Sequence, residues 1–339
     1  MPSHQSDSEL IETLLGKPGP EQRRALAKSI TLLESTRPDH RERADELLNA
    51  VLPRTAQSFR LGISGVPGVG KSTLIETLGL FLIEQGHRVA VFAIDPSSSL
   101  SGGSILGDKT RMEKLSVHED AFIRPSPSSG TLGGVAERTR EVMLLAEAAG
   151  YDFVIVETVG VGQSEIAVAG MTDLFMLMQL PNAGDDLQAI KKGVMELADL
   201  IVINKADIDP DAAMRAEAFI TSSLRLIGFG AEKNSVTKEL WQPTVMRLSA
   251  LLGEGIEELW FHIQRFQVIE KVNGHFQERR QNQAGSWMWE RIDSALKANF
   301  QNHLAVQEQL PEMMKAVNQG TLAPSVAARR LLDLSQLTQ

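Results

Sequence analysis

Gly65-Val66-Pro67-Gly68-Val69-Gly70-Lys71-Ser72 fits the pattern G-x-x-x-x-G-K-[ST], a spacing suited to holding a row of phosphates. The glycines let a loop turn inward so that successive N–H groups aim at phosphate oxygens, and a helix beginning there adds positive potential. Lys71 can reach the β and γ phosphates, the Ser72 hydroxyl can ligate Mg²⁺, and Thr73 continues the same turn. A strand-to-helix turn that binds nothing would need neither the lysine nor the hydroxyl.

Asn204-Lys205-Ala206-Asp207 fits N-K-x-D, the signature of guanine reading. The Asp207 carboxylate can accept two hydrogen bonds from the guanine N1–H and exocyclic amine, which adenine does not offer. An unpaired carboxylate facing the wrong base is costly, so GTP is favoured over ATP. By itself the tetrapeptide also suits a capped helix start; its place at a strand end, downstream of the phosphate loop, makes it informative.

Three further acids stand out, two of them where strands are expected to end. Glu157 opens Glu157-Thr158-Val159-Gly160, the layout of a segment that senses the γ-phosphate, with the Gly160 N–H as donor. Asp95 opens Asp95-Pro96-Ser97-Ser98, and Asp108 follows a Ser/Gly-rich stretch. Mg²⁺ takes one or two carboxylates beside phosphate oxygens, so Glu157, Asp95 and Asp108 join Ser72 as its candidate ligands; each acid could equally cap or solvate a turn. Gln163 is a candidate for positioning water, although it stands three residues past Gly160 rather than next to it. With no evident base, hydrolysis of GTP to GDP and phosphate is expected to be slow until a partner engages, and Lys71, Glu157 and Gly160 carry what catalysis there is.

The elements that must position these groups follow from periodicity. Phe59 to Ser64, Val89 to Ile94, Phe153 to Glu157, Leu174 to Leu180 and Leu200 to Asn204 are continuous apolar runs, and Val245 to Leu248 is a weaker one. Such runs suit strands buried on both faces, with crossover helices such as Ser72 to Glu84 between them. The expected fold is α/β, a doubly wound, mostly parallel sheet over 58–272 with helical extensions at both ends. The amino-terminal extension, 1–57, reads as helices over 6–16, 20–36 and 38–52, punctuated by Gly16, Pro18, Gly19, Pro20 and Pro38. The carboxyl-terminal extension, 273–339, is periodic over Ser286 to Phe300 and Leu304 to Val317. There Trp287, Met288, Trp289, Ile292, Leu296 and Phe300 form an apolar face that either packs on the parent domain or joins two subunits in a homodimer.

At 339 residues the chain is long enough for about two domains. A net charge of -9 argues against nucleic-acid or membrane-surface binding as the main activity. Cysteine is absent, which removes disulfides, thiolate metal sites and a cysteine nucleophile. The start MPSHQSDSELIE lacks the basic flank and apolar core of a signal peptide, and no run approaches about eighteen apolar residues, so a cytoplasmic protein is expected. The seven histidines lack i, i+4 pairing, which argues against a dedicated transition-metal site.

Taken in order, GVPGVGKS, DPSSSLSGGSILGDKTRM, VETVGVGQSE and NKAD resemble the MeaB/ArgK family of P-loop GTPases, including the human MMAA type, over about residues 20–330. The resemblance implies a metallochaperone-type GTPase of the SIMIBI class. Such a protein gates adenosylcobalamin loading and protects or reactivates methylmalonyl-CoA mutase or a related acyl-CoA mutase. It also implies that Asp95 and Asp108 belong to a first switch region, and Glu157 and Gly160 to a second. Residues 179–191 look like a third switch in which Asp185 and Lys191 relay nucleotide state. Ser249-Ala250, with Leu251, resembles the segment behind the guanine ring, and dimerisation runs through the carboxyl-terminal helices. Other readings are a nickel-insertion GTPase, disfavoured by the absence of a Cys or His tract; a phosphotransferase, for which no acceptor motif is seen; and a scaffold that binds nucleotide without turnover.

Overall fold

The computed structural model describes residues 7–35, 37–94, 112–125, 132–158, 164–181, 192–226 and 239–336. Asp95, Asp108, Gly160, Gln163, Asp185 and Lys191 lie outside them. The residues divide into two compact units, Met1–Gln281 and Asn282–Gln339.

The first unit is built on seven strands: β1 (Phe59–Gly65), β2 (Val89–Ile94), β3 (Ala121–Pro125), β4 (Phe153–Thr158), β5 (Leu174–Gln179), β6 (Leu200–Ile203) and β7 (Thr244–Arg247). Their order is β3-β2-β4-β1-β5-β6-β7 and every pairing is parallel. The expected α/β fold is therefore present, with a sheet that is parallel throughout. Strand β3 escapes the sequence reading because Ala121-Phe-Ile-Arg-Pro has an arginine and a proline in a five-residue run; at the sheet edge both are tolerated.

The apolar runs are continuous because the sheet is covered on both sides. Alternate residues of each strand feed different cores: Val154 and Val156 of β4 join one, Phe153 and Ile155 the other. On the first face pack α1 (Asp7–Leu14), α2 (Pro20–Glu34), α3 (Pro38–Val51), α6 (Leu132–Ala148), α7 (Ser164–Ala169), α8 (Lys192–Leu197) and α9 (Pro210–Leu226). The three amino-terminal helices thus share the sheet's core, through Leu14, Leu26, Ile30 and Val51, all fully buried. On the second face pack α4 (Lys71–Glu84), α5 (Glu113–Val117) and α10 (Ile256–Asn273).

After α10, Gly274 at φ 79° takes the left-handed cap that ends the helix, and α11 (His275–Asn302) starts at once. The expected start near Ser286 is thus eleven residues late, because 275–285 is mostly polar and carries no apolar stripe; Phe276 alone packs on the second core, and Arg279 and Arg280 make ionic contacts. The second unit contains α12 (Leu304–Asn318) and α13 (Pro324–Gln336), which pack on one another and bury Val306, Ala327 and Leu331. Helix α13 was not anticipated. No helix among the described residues is long and apolar enough to cross a membrane.

Candidate functional site

Strand β1 is the centre of the sheet, flanked by β4 and β5, and the chain leaves its carboxyl end directly into the glycine loop and α4. In a doubly wound sheet this edge, where connections diverge to either side, is where ligands bind. Two glycines are required there. A Cβ on Gly65, at φ 156°, would come within 2.6 Å of the Met178 carbonyl oxygen, and one on Gly70, at φ 101°, would collide with the Asn204 side-chain amide. The loop therefore closes on its neighbours at both ends. At its tip Gly68 (φ 78°) and Pro67 face open space, and Val69 is fully buried as an anchor.

Lys71, Ser72 and Thr73 occupy the first turn of α4, each half-buried. The Lys71 ammonium donates to the loop carbonyls of Gly65 at 2.7 Å and Val66 at 3.4 Å, which folds its side chain over the loop. The orphan N–H groups of this turn and the positive end of the helix dipole make an anion cradle.

Asn204 ties three loops together. Its Nδ2 donates to the Val69 carbonyl at 2.7 Å, and its Oδ1 accepts the Ala250 N–H at 2.9 Å. The Ala206 N–H reaches the Leu248 carbonyl at 3.1 Å, and the Thr77 hydroxyl of α4 donates to the Ala250 carbonyl at 2.8 Å. Lys205 sits in the left-handed region at φ 62°, a conformation rare for a non-glycine residue, which turns the chain so that Asp207 emerges exposed. Ser249 and Ala250 are buried behind it, while Leu251 is 79% exposed. The structure thus brings Gly65–Thr73, Asn204–Asp207 and Ser249–Leu251 to one edge.

Glu157, 2% exposed, is the penultimate residue of β4, beside β1 and in register with Ile63. Just past it the Thr158 hydroxyl lies 2.9 Å from the Ser64 hydroxyl, both fully buried. This bridge joins the residue before the glycine loop to the residue after Glu157. The sequence reading missed it, since neither serine nor threonine in a strand carries a distinctive signal. Ser72 and Glu157 offer hard oxygen donors on adjacent elements, a donor set suited to Mg²⁺.

The other conspicuous polar cluster lies at the opposite, amino edge. Glu147 accepts from Arg60 Nε at 2.6 Å, from the Ser58 hydroxyl at 2.5 Å and from the Ala56 N–H at 2.8 Å. Burial pushes this carboxyl up, but Arg60 and the two hydrogen bonds outweigh it and hold it below the ordinary range. Asp173 accepts from Arg280 Nε at 2.7 Å and Nη2 at 2.6 Å, and from the Arg60 N–H at 2.8 Å. Arg279 reaches Asp199 at 3.0 Å. These charges are matched one to one, as in a structural lock.

Residues 26–305 match the family model described as methylmalonyl Co-A mutase-associated GTPase MeaB. A probable GTPase of Mycobacterium tuberculosis is 50% identical over 317 residues, covering 93% of this chain and 92% of its own. The mouse mitochondrial methylmalonic aciduria type A homolog is 48% identical over 322 residues, covering 92% of this chain and 76% of its own. Among solved structures, one described as LAO/AO transport system kinase matches with a TM-score of 0.75 at 37% identity, covering 99% of both chains.

Proposed function

This chain belongs to the methylmalonyl Co-A mutase-associated GTPase family, MeaB, and from that premise we propose that it binds GTP and GDP with Mg²⁺ at the carboxyl edge and hydrolyses GTP there. The single observation that carries the reading is the Asn204 clip, which fastens the phosphate loop to the base-reading turn. Through it, a nucleotide held by its phosphates meets a base pocket of fixed distance and direction.

In this account the loop N–H groups from Gly65 to Gly70, with Lys71, hold the phosphates. Lys71 exchanges its two carbonyl contacts for phosphate oxygens. Asp207 reads the guanine edge, with Lys205 beneath the ring and Ser249, Ala250 and Leu251 behind it. Ser72 and Glu157, joined by Asp95 and Asp108, would hold Mg²⁺, which neutralises charge developing on the β and γ phosphates. Gly160 donates to the γ-phosphate, so its loss is felt at Thr158 and, through the hydroxyl bridge, at Ser64.

The output is a signal to an adenosylcobalamin-dependent methylmalonyl-CoA mutase or a related acyl-CoA mutase, whose cofactor loading and protection this GTPase gates. Asp185 and Lys191 relay it. In this reading 58–272 is the GTPase domain, 1–57 its amino-terminal extension and 273–339 the dimerisation extension. Two copies meet through Met288, Trp289, Ile292 and Leu296 of α11, which are 36% to 62% exposed in the single chain. The protein works in the cytoplasm.

Incubating the full chain with GTP or ATP, with and without methylmalonyl-CoA mutase, tests the reading through phosphate release. GTP-selective release stimulated by the mutase is expected. Phosphate appearing on a protein or small acceptor would support a transport-kinase reading instead.

A further inference from the structure

We propose that the amino edge of the sheet carries a second binding site, distinct from the phosphate loop, that takes a small planar aromatic anion. A cavity of about 400 Å³ opens there between the starts of β1 and β4, helix α10 and the first turn of α11. That volume falls in the range of about 300–1,000 Å³ usual for small-molecule sites.

Its apolar wall is aromatic rather than aliphatic. The Phe153 ring lies 5.5 Å from Phe59 and 6.0 Å from Trp260, and Phe276 lies nearly parallel to Phe59 at 19° and 6.5 Å. Phe59 and Phe153 are buried, at 5% and 1% exposed, and the Arg280 guanidinium lies over Phe276 at 4.6 Å, so Trp260 and Phe276 offer the partly exposed ring surface on which a flat ring can stack. Helix α10 presents the opposite wall through one stripe at i, i+4, i+7 and i+11: Trp260, Gln264, Gln267 and Lys271. The neighbouring stripe, Leu259, Ile263 and Phe266, is buried in the core. A helix that packs so conventionally on one side has no structural need for two amides and a cation lining a hollow on the next.

Charge selects the ligand. His87 and Asp152 also line the hollow, but they are hydrogen-bonded to each other at 2.8 Å, and Asp152 also accepts the Arg88 N–H at 2.7 Å. Lys271 remains, exposed at the mouth, with its ammonium 5.5 Å from the centre of the Phe276 ring. A ring stacked inside with an anionic group at Lys271 satisfies both features, and the Gln264 and Gln267 amides can bond to ring heteroatoms or substituents.

One residue of the rim is held in a strained form. Ala56 lines the cavity at φ 68°, in the left-handed region; its N–H is bound by Glu147 at 2.8 Å and its carbonyl by Arg280 at 2.9 Å. Strain of this kind persists only where the surroundings enforce it, and it gathers at ligand clamps.

The test uses naphthalene-2-sulfonate as probe, titrated by calorimetry into the full chain, alone and with excess GDP and Mg²⁺. Neutral 2-naphthol and non-aromatic cyclohexanesulfonate serve as comparators. One-to-one binding is expected, unchanged by GDP, with both comparators weaker. Lys271→Ala is expected to weaken it about fivefold, the upper end for an exposed ion pair. Gln267→Trp, which fills the hollow from a partly exposed position, is expected to abolish it. No saturable binding at millimolar probe, equal affinity in the parent and Lys271→Ala, or displacement of the probe by GDP would each overturn the proposal. The first two outcomes leave the guanine-nucleotide reading untouched, whereas displacement by GDP would place the nucleotide itself at the amino edge.

Discussion

The two edges of one sheet hold this protein's polar residues in opposite ways. At the amino edge Glu147 and Asp173, each with a side chain only 1% exposed, have arginine partners at 2.6 Å and backbone donors besides. At the carboxyl edge, side chains bind the backbone to shape loops, as Asn204 does, while Asp207 and the loop tip at Pro67 and Gly68 are turned out to solvent. Matched buried charge marks the amino edge, whereas the carboxyl edge combines an exposed Asp207 with loop-shaping contacts and a buried Glu157.

The largest expected effect tests the locked edge. Asp173→Ala leaves Arg280 buried without its carboxylate and should lower unfolding stability by about 3–5 kcal/mol. Urea denaturation reads this directly, and a loss below about 1 kcal/mol would show that the lock is ornamental. Asp207→Asn, at the open edge, should do the reverse: the denaturation midpoint stays put, while the preference for GTP over ATP falls about 100-fold in competition binding. If that substitution unfolds the protein instead, the contrast between the edges fails.

A smaller effect is expected at Glu141 of α6, where burial, and then Asp45 on α3, push the carboxyl from 4.5 up to about 7, against the pull of Arg138. Because the folded-state pKa is raised, this group's contribution is complete below pH 4.5 and is lost as pH rises toward 7. Glu141→Gln should therefore remove about 3 kcal/mol of decline in stability across that window. An unaltered pH profile would refute the assignment. The smallest effect belongs to the exposed Arg37–Asp39 pair, with side chains 67% and 56% exposed: Arg37→Ala should leave the midpoint where it was.

What the sequence made legible was whatever is contiguous. The phosphate loop, Asn204-Lys205-Ala206-Asp207 and the five strong apolar runs each stand in a single short string, so their types and strand ends could be read directly. Asn204 was legible only as part of a base signature; its grip on Val69 joins residues 135 apart and depends on how β1 and β6 sit in the sheet. The Asp173–Arg280 bond spans 107 positions and was invisible for the same reason. The start of α11 was missed because one phenylalanine, Phe276, and two arginines hold it without an apolar period, and β3 because an edge strand need not be apolar throughout.

The most direct test of the central claim is calorimetric titration of GDP with Mg²⁺, and separately of ADP with Mg²⁺, into the full chain and its Lys71→Ala variant. The account predicts one GDP site per chain, at least about 100-fold tighter than ADP and lost in the variant. No heat with GDP, or equal affinity for the two nucleotides, would contradict it.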